Sequence, residues 1–173
     1  MATLEFRRFG VEDMQQLYLW LVRPHVAKWY APAPTSFAEV VAKYAPRTEA
    51  DHAVQAFVAS VDGEDCGYAQ TYAVREFPDF AREVQCGEGA SAMDLFIADP
   101  WRLNRGLGCR MVQSFVGDVV FGANGARECI ASPTEGNAAS IRVFEKAGFE
   151  RVKVIRVGGG EPECVMRRMR EAP

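Results

Sequence analysis

The sequence has few of the residues that would mark a metal site, a disulfide scaffold or a membrane protein. There are only two histidines, His25 and His52, and the five cysteines are widely spaced, odd in number and form no Cys-x-x-Cys pair. That pattern gives no zinc set and no metal, and the thiols read as reduced, as expected in a cytoplasmic protein. No apolar run approaches the roughly 18 residues of a membrane span, and the opening MATLEFRRFG carries charge too early for a secretory core. Basic residues are not in excess. A net charge of −3 counts against nucleic acid as a partner. Neither a Gly-Lys-Ser/Thr phosphate loop nor a Gly-x-Gly-x-x-Gly fingerprint occurs. Repeats, low-complexity tails and a linker are absent too. The 173 residues, 49% hydrophobic, therefore read as a single domain over 1–173, with monomer and homodimer both left open by the sequence.

What the chain does carry is centred on Ala92 to Met111, AMDLFIADPWRLNRGLGCRM. An apolar run predicts a buried strand that breaks at Asp99 and Pro100. The spacing Arg105-Gly106-Leu107-Gly108 then predicts a glycine turn ahead of a helix from Gly106 to Phe121. Amides at a helix start lack intrahelical partners, and with the positive end of the dipole they form a site for an anion such as a pyrophosphate. Asp94 stands out in the strand, flanked by Met93, Leu95, Phe96 and Ile97. An unpaired carboxylate there costs several kcal/mol or takes up a proton. Two readings of it stay open: a carboxylate that orients and deprotonates an incoming ammonium, or one tied to a neighbouring backbone group or arginine, or set at an exposed edge.

The rest of the chain predicts strand and helix in alternation. Thr3 to Arg8 alternates as a half-buried strand, and Val11 to Val22 places Met14, Leu17, Tyr18 and Leu21 on one helical face. A short helical turn is expected at His25 to Trp29. Ser36 caps a helix through Tyr44, with Glu39 as capping-box partner. Ala53 to Val61 and Cys66 to Val74 form a hairpin, and Arg75 to Ser91 is a long acidic loop of the kind that serves as a lid or binding wall. Arg127 to Ala131 is a strand, Asn137 caps a helix to Ala147, and Phe149 to Met169 closes as a hairpin around Gly158-Gly159-Gly160. The fold class is α/β (α+β).

These residues resemble the GNAT acyltransferases. The glycine segment is similar to their Gln/Arg-x-x-Gly-x-Gly/Ala motif, with Leu103 at its first position, and NAASIRVFEKAGF, Asn137 to Phe149, is similar to a second GNAT segment. The order of elements matches over nearly the entire chain. The resemblance implies a mixed, mostly antiparallel central sheet, flanked by helices and splayed at the cofactor site. It implies acetyl-CoA as cofactor, held by Arg102, Leu103, Asn104, Arg105, Gly106, Leu107, Gly108 and Cys109, with Asn137 and Phe144 along the pantetheine. A backbone amide near Phe96 or Ile97 would polarise the thioester oxygen. Where many members place a tyrosine as general acid, this chain has Phe144, which has no proton to give.

On the acceptor side the chain is similar to the aminoglycoside 6′-N-acetyltransferases, which can also carry leucine at the position of Leu103. Trp29 in RPHVAKWY, Tyr44, and Gln70 and Tyr72 in GYAQTY match aromatic and polar positions that this branch sets around its sugar. Glu76, Asp79, Glu83 and Glu88 give the loop a negative wall suited to a cationic acceptor. Where the branch often reads Thr-Asp-Pro, this chain has Ala131-Ser132-Pro133, so Ser132 replaces a carboxylate and Glu135 is the expected substitute. The implied activity is acetylation of the 6′-amine of aminoglycosides, with Asp94 as the catalytic base. An N-acyltransferase of siderophore biosynthesis and a non-catalytic CoA-binding sensor are the alternatives, the latter sustained by Phe144.

Overall fold

Alternation at the start of the chain forms β1 (Leu4–Arg8), with Leu4 and Phe6 turned partly inward and Glu5 and Arg7 outward. β2 (Val54–Val61) runs antiparallel to it, Leu4 opposite Val61 and Arg8 opposite Phe57. Asp62 and Gly63 then hold φ of 52° and 81°, the left-handed pair that a two-residue hairpin turn requires, and lead into β3 (Glu64–Ala73). Four more strands follow: β4 (Ala90–Ile97), β5 (Glu128–Ala131), β6 (Glu150–Ile155) and β7 (Glu163–Met169). The seven strands are ordered β1-β2-β3-β4-β5-β7-β6. β4 and β5 are parallel, whereas β5 with β7 and β6 with β7 are antiparallel. This computed structural model, which describes residues 2–30 and 32–171, has the mixed, mostly antiparallel sheet flanked by helices that the sequence implied. The parallel register covers Ala90↔Glu128, Ser91↔Cys129 and Ala92↔Ile130, ahead of Asp94.

The helices are α1 (Met14–Leu21), α2 (Pro24–Ala27), α3 (Phe37–Tyr44), α4 (Pro78–Val84), α5 (Leu107–Ser114) and α6 (Ala138–Lys146). Their ends follow local chemistry. Ser36 Oγ accepts the Glu39 amide at 3.3 Å at the start of α3, and Asn137 Oδ1 accepts the Ser140 amide at 3.1 Å at the start of α6. Pro24 and Pro78 each occupy the first turn of their helix, where no N–H is needed.

Residues group into two compact units, one of 1–70 and 95–107, the other of 71–94 and 108–173. The first is built on aromatics. Trp20, Tyr44, Tyr68 and Phe96 are buried with Leu17, Leu21, Val26, Val40 and Val58, each worth about 1.5–3 kcal/mol as apolar surface leaves water. In the same unit Arg7 makes a two-pronged contact with Asp13, Nη1 to Oδ2 at 2.8 Å and Nη2 to Oδ1 at 2.7 Å, and the Gly10 amide adds a third donor at 2.8 Å. That clamp joins β1 to the turn that starts α1. The second unit packs Val74, Val84, Ala90, Ala92, Ile130, Ile155 and Val165 together, with Tyr72 and Phe80 against them. There the buried Glu128 carboxylate accepts the Gly87 amide at 2.9 Å and faces Arg167 at 2.5 Å.

Four local expectations are corrected. Residues 75–91 are not one loop: a tight turn at Val74–Glu76 is followed by α4, which stops where Gln85 adopts φ of 53°, and β4 already begins at Ala90. Gly108 is not part of a turn but the second residue of α5, so of that glycine pair only Gly106, with φ of 81°, has left-handed backbone. The helix after it does not stay α to Phe121; Phe115–Ala123 is wound as a π-helix. Glu39 does not complete a capping box with Ser36, because its carboxylate accepts from the Thr35 amide at 2.8 Å and the Thr35 hydroxyl at 2.5 Å instead.

Candidate functional site

In the first unit the end of β4 is fixed from α2. His25 Nε2 donates to the Ile97 carbonyl at 3.0 Å, and Arg23 Nη1 donates to the Ala98 carbonyl and to Asp99 Oδ1, both at 2.7 Å. The Ala98 amide donates to the Cys66 carbonyl at 2.8 Å. These bonds set the course of the backbone whose amides at Phe96 and Ile97 are the expected thioester donors. Sequence reasoning missed Arg23 and His25, and the signal was there in Arg-Pro-His, a basic pair astride the proline that opens α2. The Phe96 side chain is turned to the core, stacked on Tyr68 at 5.7 Å and edge-on to Tyr30 at 4.9 Å.

Beyond Asp99 the chain turns through Leu103 to Gly106, with φ of 57° at Asn104 and 81° at Gly106. A side chain added at Gly106 would meet nothing within 4 Å, so the turn is open on that side. Arg102 is committed nearby: its Nε donates to Asp99 at 3.3 Å and its Nη2 to Glu64 at 2.6 Å, which stiffens the entry to the turn. Asn104 and Arg105 are exposed, Leu107 is buried, and Gly108 and Cys109 are half-buried in the first turn of α5. The amides of that turn are the donors an anion needs. With an exposed arginine, two left-handed residues and an open face, the turn fits a diphosphate.

Two of the expected acceptor-side residues meet in this unit. Gln70 is buried, and its side-chain oxygen accepts from Arg47 and from the Tyr68 hydroxyl, the latter at 2.9 Å. Tyr44 is only 2% exposed and lies edge-on to Tyr68 at 5.8 Å, with the Arg47 guanidinium 4.4 Å above its ring. Arg47 is thus the group that links them, and nothing local in the sequence marks it. Trp29 is not a member of this stack; it is 38% exposed, with the Lys28 ammonium 4.7 Å from its ring.

In the second unit Asp94 is half-buried on β4, and its charge acts on Glu163 and on Cys129. Ser132 is hydrogen-bonded to the Glu163 side chain. Asp94, Ser132 and Glu163 are therefore neighbours, and Glu163 was absent from the sequence reading. Glu135, the expected substitute carboxylate, is exposed, and its amide donates to the Pro162 carbonyl at 2.8 Å. Tyr72 packs on Phe77 at 4.7 Å and on Phe80 at 6.3 Å. Glu76 and Asp79 are exposed and carry their own partners, Arg75 at 3.4 Å and Arg82 at 3.2 Å, so two of the wall's four acids are paired with neighbouring arginines. Asn137 caps α6, and Phe144 is buried edge-on to Phe149 at 5.1 Å.

The thiols are free, and burial pushes Cys66 up to about 11 and raises Cys86 and Cys129 as well. Among the described residues there is no group of three or more potential metal ligands, and no helix is long and apolar enough to cross a membrane.

Comparison with known proteins agrees with this architecture. The model of the acetyltransferase (GNAT) domain matches residues 11–157. Over 172 residues, covering 98% of this chain and 85% of the relative, the sequence is 32% identical to aminoglycoside N(6')-acetyltransferase type 1 of Klebsiella pneumoniae. Among solved structures, aminoglycoside acetyltransferase AAC(6')-Ib in complex with coenzyme A and kanamycin is similar with a TM-score of 0.86 and 30% identity, covering 97% of this chain and 95% of that one. A further AAC(6')-Ib structure, holding acetyl-CoA, gives a TM-score of 0.87 at 29% identity, over 97% and 94% of the two chains. The chain belongs to the GNAT acetyltransferase family.

Proposed function

We propose that this protein transfers the acetyl group of acetyl-CoA to the 6′-amine of aminoglycosides, in the cytoplasm, as an antibiotic-resistance enzyme. The observation that carries this reading is the near-full-length likeness to relatives named for that activity, one of them solved with coenzyme A and kanamycin. When bound, acetyl-CoA supplies a thioester carbon open to attack by an amine.

The rest is work for the chain's own groups. The amides opening α5, with Arg105 and the Asn104–Gly106 turn, grip the diphosphate, and Asn137 steadies the pantetheine arm. An amide at Phe96 or Ile97 donates to the thioester oxygen, held in place by His25 and Arg23 on the following carbonyls. Asp94 orients the acceptor's ammonium and takes its proton at a carboxylate oxygen, directly or through water, which leaves a neutral amine to attack. Phe144 shields the sulfur without protonating it, so the thiolate leaves as such or takes its proton from water. Trp29, Tyr44, Gln70, Tyr72, Glu76, Asp79, Ser132 and Glu135 belong to the acceptor side, Tyr44 and Gln70 as supports from the core.

Thiol release from acetyl-CoA in the presence of kanamycin or tobramycin, set against hydroxylysine and spermidine, tests the proposal. The aminoglycosides should turn over and the others should not. Turnover confined to hydroxylysine moves the protein to siderophore biosynthesis, and coenzyme A binding with no turnover on any amine makes it a sensor.

A further inference from the structure

One face of the sheet in the second unit is polar at both ends and apolar between them. Side chains alternate along a strand, so Glu163, Val165 and Arg167 of β7 share a side. Register carries that side onto β5, where Ile130 lies opposite Arg167 and Thr134 opposite Glu163. On β4 the same alternation places Ala90, Ala92 and Asp94 together. Ala90, Ala92, Ile130 and Val165 are packed as one buried cluster, which forms the apolar middle.

The two polar ends are not equivalent. At the first, the Glu128 carboxylate is answered by Arg167 at 2.5 Å and the Gly87 amide at 2.9 Å. At the second, the half-buried Glu163 has the Ser132 hydroxyl as donor and the negative charge of Asp94 nearby, and among the described residues no lysine or arginine pairs with it. Burial pushes the Glu163 carboxyl above the usual carboxylate range; the Ser132 hydrogen bond opposes that rise and the charge of Asp94 adds to it. A carboxylate kept there works against the folded protein at neutral pH. Either a proton or a cation from outside relieves it, and the cation keeps the carboxylate charged.

We propose that Glu163 is a specificity-determining residue, whose carboxylate pairs with a second ammonium of a polyamino-sugar while Asp94 holds the ammonium that reacts. The inference rests on the acceptor class proposed above and adds a residue to that site. It also answers the missing carboxylate at Ser132: the charge is supplied from β7, across the β5–β7 pairing, and not from Glu135.

The test is calorimetric titration of the coenzyme A-loaded protein with kanamycin, paired with steady-state kinetics, for wild type, Glu163→Gln, and Ser132→Asp with Glu163→Gln. Glu163→Gln should weaken kanamycin binding and raise its KM by about 10- to 100-fold, the range for losing a hydrogen bond to a charged group. The kcat and coenzyme A affinity should stay close to wild type. Its melting temperature should not fall, because a repelled carboxylate has been removed; a purely structural glutamate would give the opposite. Ser132→Asp in that background returns a carboxylate beside the vacated position, and binding should recover. If wild type binds and acetylates kanamycin and Glu163→Gln does so equally well, the inference is wrong while the activity stands. A wild-type protein that neither binds nor acetylates any aminoglycoside overturns both.

Discussion

Asp94 shows how far a single side chain is readable before any coordinates exist. A carboxylate set among Met93, Leu95, Phe96 and Ile97 is an anomaly in any strand, and the structure keeps it half-buried. Glu163 is an ordinary glutamate in sequence, in a polar stretch after three glycines. Its meaning comes from Ser132 and Asp94, distant along the chain and brought near only by strand pairing. Arg47 is hidden for the same reason, since its partners Tyr68 and Gln70 lie on another element. If Asp94 takes the proton in the reaction, Asp94→Asn should lower kcat by about 10²–10⁴-fold, the usual contribution of a general base, with coenzyme A affinity little changed. Stopped-assay kinetics with equilibrium binding of coenzyme A separate the two, and an unaltered kcat removes Asp94 from the chemistry.

At the level of elements, legibility followed local punctuation. Ser36 and Asn137 announced α3 and α6 because a cap is written in adjacent residues. α4 was hidden: Phe77 offers no side-chain oxygen to cap it, its acids and arginines read as solvated loop, and it stops at a left-handed Gln85 where glycine is usual. The π-helical Phe115–Ala123 was equally silent, because its apolar spacing is also that of an α-helix. The β1–α1 junction makes a quantitative claim. Burial alone would raise Asp13, but the hydrogen bonds from Arg7 and the Gly10 amide outweigh it and hold the carboxyl below its usual value. A depressed folded value gives stability that is complete above the unfolded pKa and lost as pH falls through the folded one. Urea midpoints should therefore stay level from neutral pH down to about 5 and decline below about 4. Asp13→Ala, which leaves the Gly10 amide without its acceptor and Arg7 with Asp65 alone, should cost about 1–3 kcal/mol at neutral pH. A variant as stable as wild type would show that the clamp contributes nothing net.

For the molecule as a whole, the fold was more legible than the chemistry, because an ordered succession of strands and helices survives errors at single boundaries. The motif in Leu103 to Cys109 is arranged differently from its sequence reading: Gly108 lies inside α5, Gly106 alone supplies the bend, and the anion proposed for the first-turn amides is open to a direct test. A ligand that binds only the folded chain stabilises it by about 2.7 kcal/mol at a hundredfold excess over its Kd, and a chain of this size melts roughly 2–4 °C higher for each kcal/mol. Coenzyme A at that excess should thus raise the melting temperature by about 5–10 °C. No shift at any concentration would leave the α5 turn without its anion.

The hydrogen bond that the Gly87 amide donates to Glu128 bears on how β4 is entered. It moors the downstream end of the stretch that carries α4, and Arg167 braces the same carboxylate from β7. Upstream, the short helix is anchored as well, by the fully buried Val84 and by the Gln85 carbonyl, which accepts from Arg167 Nη2 at 3.4 Å. A single arginine on β7 thus ties the end of α4 and the approach to β4 to one strand, so Arg167→Ala would loosen both together.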